Sequence, residues 1–86
     1  MKDMREALIQ VCRIADENGN IYQFSYYRLE DSKSYGVCIR DQDGAVAMVS
    51  DITSEYERID ALLDLLIRGC VSPLHLPEIV EDWLIA

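Results

Sequence analysis

The side chains with the greatest chemical potential in this sequence are one histidine, His75, and three cysteines, Cys12, Cys38 and Cys70. A histidine beside a thiol or hydroxyl can build a nucleophile, because the imidazole accepts the proton that the attacking atom must lose. Cys70 and Ser72 are the nearest such groups in sequence, so a pocket of His75, Cys70 and Ser72 is where an enzyme or small-ligand site would form. Neither residue belongs to a recognised nucleophile motif. A histidine held between Pro73 and Pro77 equally well lies on the surface or bonds a helix end. No catalytic residue is assigned, and the ligand-pocket reading stands second.

Metal and cofactor chemistry find little support in the spacing. The cysteines lie 26 and 32 positions apart, with no Cys-x-x-Cys, so they frame neither a disulfide scaffold nor a zinc knuckle. Each has apolar neighbours, which suits a small buried hydrophobe. A single histidine excludes a multi-histidine metal site within one chain. Glu78, Glu81 and Asp82 share one side of a helix at their spacing, and read as a solvated acidic face. Asp41-Gln42-Asp43-Gly44 looks like the start of a calcium loop, but no glutamate closes it. The four glycines are scattered, so there is no phosphate cradle. No cofactor and no metal are expected.

Charge narrows the partners. Sixteen acidic against eight basic residues leave a net charge of −8 in 86 residues. Nucleic-acid affinity rests on Lys and Arg neutralising phosphates, so a nucleic acid is not an expected partner. An anionic membrane surface is excluded on the same ground. No apolar run has the length of a signal peptide or a membrane span, and the expected location is the cytoplasm. Hydrophobic residues at 50% supply enough to bury for one globular domain over residues 1–86.

The elements that position these side chains come in two kinds. Residues 7–15, 21–30, 35–41 and 45–52 alternate and carry β-branched and aromatic types, which predicts four strands. Asn18-Gly19 and Asp43-Gly44 mark hairpin turns. A two-residue turn at Asp43-Gly44 sets Val37 opposite Ser50 and Ile39 opposite Met48, leaving Cys38, Arg40, Ala47 and Val49 on the other face. In the first hairpin, pairing of Val11 with Tyr26 and pairing of Cys12 with Phe24 both remain open. Tyr22, Phe24 and Tyr26 share a face by the period of two.

At residue 54 the period changes. Ser54-Glu55-Tyr56-Glu57 reads as a capping box. Apolar residues then recur at Tyr56, Ile59, Leu62, Leu63, Leu66, Ile67 and Cys70, the stripe of an amphipathic helix. Gly69 is expected to end it in the left-handed conformation. A second helix is expected over residues 77–85, with Ile79, Val80, Trp83 and Leu84 facing inward. The fold class that follows is α+β: a four-stranded antiparallel meander, then two helices packed on one of its faces.

Tyr27-Arg28-Leu29, Tyr35-Gly36-Val37, Val71-Ser72-Pro73-Leu74-His75-Leu76 and Val80-Glu81-Asp82-Trp83-Leu84 carry a resemblance. In these landmarks the chain resembles a family of short proteins of unknown function from clostridia-like Gram-positive bacteria. The resemblance implies a stand-alone bacterial cytoplasmic domain and transfers no activity.

Two helices can cover only one face of such a sheet. The other is expected to carry Leu8, Ile14, Tyr27, Leu29, Cys38 and Val49, more apolar surface than a small monomer leaves wet. The leading functional expectation is therefore a non-enzymatic protein-interaction domain. It would use this surface toward a protein partner, with a two-fold homodimer as the first candidate.

Overall fold

A computed structural model describes residues 4–85. Four strands, β1 (Arg5–Ala15), β2 (Ile21–Glu30), β3 (Tyr35–Asp41) and β4 (Val46–Thr53), are followed by α1 (Tyr56–Arg68), a 3-10 turn (Pro73–His75) and α2 (Leu76–Ile85). The strands pair antiparallel in the order β1-β2-β3-β4. The α+β meander expected from the alternation is the architecture found.

Both hairpins turn through the same device. Asp16 and Asn20 close the first loop, with Gly19 at φ 82, and Asp41 and Ala45 close the second, with Gly44 at φ 95. In each, the opening aspartate accepts two backbone N–H groups with one carboxylate oxygen: Asn18 and Asn20 on Asp16, Asp43 and Ala45 on Asp41. The loops thus hold three residues, not two, with glycine at the left-handed position. One extra loop residue slips the register by one. Cys12 pairs with Phe24 in the first hairpin. In the second, Ile39 faces Ala47 and Val37 faces Val49. The pairing of Ile39 with Met48 is thereby corrected, and a one-residue slip sends every side chain of a strand to the other face.

Two irregularities adjust the phase further. Ile9 is the extra residue of a bulge in β1, so Leu8 pairs with Tyr27 while Gln10 pairs with Tyr26. On β4, Asp51 takes φ 56, the ladder jumps from Val49 opposite Val37 to Thr53 opposite Tyr35, and Ile52 turns into the core. Gly36 is what lets the bulging strand approach. A Cβ there would lie 2.3 Å from the Val49 carbonyl oxygen and 2.8 Å from the Ser50 Cα.

The helices cover the sheet from one side. Ile59, Leu62, Leu63 and Leu66 of α1, with Leu76 and Val80 of α2, close a core with Phe24, Tyr26, Val37, Ile39 and Ile52. Leu84, expected inside, is half exposed. The capping box does not form. Glu55 is the N-cap without a side-chain bond, and Thr53 Oγ1 instead accepts the Glu55 N–H at 3.1 Å.

At the other end of α1, Gly69 stays right-handed at φ −85 and Cys70 takes the left-handed position at φ 47. The Cys70 N–H donates to the Ile67 carbonyl and the Val71 N–H to that of Leu66, the pairing of a Schellman cap displaced one residue past the glycine.

Candidate functional site

With the true register, the two faces of the sheet can be assigned residue by residue. Directly opposed residues share a face, so Glu6, Leu8, Val11 and Arg13 of β1 lie with Ser25, Tyr27 and Leu29 of β2. Cys38 and Arg40 of β3 join them through β2, and Val46 and Met48 of β4 through β3. This is the face without helices. Leu8, Val11, Val46 and Met48 are exposed on it by 55%, 42%, 53% and 49%. The charged residues that the strand pairing places on it are Glu6, Arg13 and Arg40, whereas the helical half of the chain carries seven acidic and two basic residues. The open face is thus apolar and near-neutral in a strongly acidic protein.

Four of the six residues expected on this face lie there. Leu8 is exposed and Tyr27 partly buried, while Leu29 and Cys38 are closed in by their neighbours at 1% and 0% exposure. Arg40 stacks over the Tyr27 ring at 4.7 Å and reaches Glu6 at 2.5 Å, a bridge across β2. Burial pushes the Cys38 thiol upward in pKa, against the opposing pull of Arg40. Ile14 and Val49 are corrections. Ile14 pairs with Tyr22 on the helix-facing side, yet at 41% exposure it lies beyond the helices' reach. Val49, facing Val37, packs against the core. Both moved because the three-residue loops shift the register by one. Met48, Val46 and Val11 were the residues missed, for the same reason.

The second candidate diverges. His75 has a side chain 60% exposed, with Nδ1 3.9 Å from the carboxylate of Glu78, itself 77% exposed. Ser72 uses its backbone carbonyl to accept the His75 N–H at 3.1 Å. Cys70 is a free, partly buried thiol at the displaced cap of α1. A shallow cleft of about 210 Å³ lies elsewhere, between β1 and α1, lined by Ile9, Gln10, Asp60, Leu63, Asp64 and Ile67. Among the described residues, no group of three or more His, Cys, Asp or Glu side chains is placed to hold a metal ion. No helix among them is long and apolar enough to cross a membrane.

Beside the displaced cap of α1, the buried Tyr26 donates its hydroxyl to the Val71 carbonyl at 2.9 Å, and burial is the main reason its pKa is raised.

Fold and surface together define a two-layer α+β domain with one covered and one open sheet face. A family model described as a family of unknown function, DUF6514, matches residues 5–86, and the chain belongs to that family. No curated protein matches the chain, and no solved structure does.

Proposed function

We propose that this chain is a small non-enzymatic protein-interaction domain that docks through the open face of its sheet, with a second copy of itself as the partner. The observation that carries the reading is the exposure of Leu8, Val11, Val46 and Met48 together on a face that no element among the described residues covers. Burying a large apolar side chain from water is worth about 1.5–3 kcal/mol, so such a face gains most from a cover.

Charge and area favour a second copy. The strand charges on the face sum to +1, from Arg13 and Arg40 against Glu6, so two copies meet without opposing their acidic helices. Four strands at ~4.8 Å spacing and about 30 Å in length give a plan area of roughly 600 Å². With side-chain relief this approaches the ~800 Å² that each partner contributes to a standard interface. The chain exposes 5765 Å², against about 5200 Å² expected for a compact monomer of 9.9 kDa. In this reading the domain acts in the cytoplasm of a clostridia-like bacterium and its role is regulatory.

Methyl resonances test the surface directly. In a concentration series, the Met48 methyl signal should shift and broaden as the protein is concentrated, with Leu8 and Val46 following. Signals that stay fixed on this face while others move would transfer the interface elsewhere.

A further inference from the structure

We propose that the cleft between β1 and α1 is a second docking site, which takes an amphipathic helix with basic side chains from another protein. It lies on the side of the sheet opposite the open face and does not depend on self-docking there. α1 rests on β2, β3 and β4, centred on β3, which leaves β1 at the margin of the helical layer. Packed helices have axes about 8–10 Å apart, and two strand spacings come to roughly 9.6 Å. The next helical position beside α1 therefore falls over β1, where no helix stands among the described residues.

β1 offers an apolar floor at that position. The bulge sets Ile9 into the cleft, against Leu63 and Ile67 of α1. Ile14 and Tyr22, paired with each other further along the same side, stay exposed and extend the track. From Ile9 to Ile14 the strand spans about 16 Å, the length of a helix of about eleven residues. At about 210 Å³ the cleft itself is smaller than the roughly 300–1,000 Å³ of small-molecule pockets, so it suits side-chain anchors of a helix, not a whole ligand.

Charge selects the occupant. Asp60 and Asp64 form the α1 wall of the cleft, and Glu57 continues their row one turn back, since residues three and four apart share a side of a helix. All three are exposed. Arg28 reaches Asp60 at 3.3 Å and Arg68 reaches Asp64 at 2.9 Å, yet both carboxylates remain about half exposed and keep acceptor positions for an incoming donor. Lys or Arg side chains at a three-four spacing match this row, while an apolar stripe beside them fills the floor. The helices of a second copy do not fit. α2 carries Glu78, Glu81 and Asp82 without a basic residue, and α1 carries the same acidic row, so acid would meet acid.

The full chain, at fixed concentration, is titrated with a synthetic leucine–lysine peptide of about 18 residues whose leucines recur at helical spacing. Methyl signals of Ile9, Ile14 and Ile67 should shift, whereas those of Val46 and Met48 stay in place. A scrambled peptide of the same composition keeps the charge and loses the stripe, and a leucine–glutamate peptide does the reverse; each should bind at least about tenfold more weakly. Glu57→Lys combined with Asp64→Lys, at two exposed positions, should weaken the leucine–lysine peptide about tenfold and leave the circular dichroism unchanged. Shifts centred on Val46 and Met48, equal affinity for the scrambled or the acidic peptide, undiminished affinity of the double variant, or no methyl response at millimolar peptide would each overturn the proposal.

Discussion

The two faces of one sheet share a strand composition and differ in what covers them. On the helix-facing side Tyr26, Val37 and Ile39 are wholly buried, and on the opposite side Leu8, Val46 and Met48 remain about half exposed. α1 packs across β2, β3 and β4, and α2 rests on β4, so the chain spends both of its helices on one side. Apolar alternation alone does not say which face is the core. The cover decides, and when the chain offers only one cover the second apolar face is a surface available to a partner.

The largest effect that sharpens this contrast is on the covered side. Leu63 is 2% exposed within the core, and Leu63→Ala should cost about 2–5 kcal/mol, the range for a buried leucine that leaves a cavity. Urea unfolding followed by circular dichroism checks it. A midpoint that barely moves would mean that α1 does not seal the core.

Gly36→Ala tests the seam between the faces. The added Cβ meets backbone, not a flexible side chain, so the bulge of β4 must shift. A loss of about 1–3 kcal/mol is expected, as for other overpacked sites. Wild-type stability would show that β4 does not press against Gly36.

The open side should behave oppositely. Met48→Lys should change monomer stability by no more than about 0.5 kcal/mol, as at most surface sites. It should nevertheless abolish self-association, because a charge would be buried unpaired in the interface. A large stability loss without any change in association would reverse the assignment of the faces.

The smallest effect concerns a hairpin tip. Asp16 is held below the usual carboxylate range, first by the Asn20 side chain and then by backbone N–H groups of Asn20 and Asn18. A depressed folded-state pKa stabilises above the unfolded value, and that contribution is lost as pH falls through the folded value. Amide resonances of Asn18 and Asn20 should therefore titrate below about pH 4, the unfolded carboxylate range. An Asn20 amide indifferent to acid would show that the carboxylate does not organise the loop.

The elements were legible because their periods are: alternation in β1 to β4, and the three-four spacing from Ile59 to Leu66 in α1. The face of each residue was less so, since it hangs on single-residue choices in the turns. Asp16-Glu17-Asn18-Gly19 and Asp41-Gln42-Asp43-Gly44 share an aspartate three positions before glycine. That aspartate accepts two N–H groups across a three-residue loop, the detail which moved Val49 inward and Met48 outward. The bulges at Ile9 and Asp51 left no mark in the hydrophobic pattern. The end of α1 misled similarly, because Gly69 stood where a left-handed cap is expected and Cys70 took the role. The open face as a candidate surface was foreseeable from counting helices against sheet faces, whereas the residues exposed on it, Val11, Val46 and Met48, hang on the lengths of the two loops.

Sedimentation equilibrium across tens of micromolar tests the central claim most directly. A covered open face predicts a homodimer of about 20 kDa, twice the 9.9 kDa chain, which Met48→Lys returns to monomer. A clean 9.9 kDa species for the wild-type protein throughout that range would contradict self-docking.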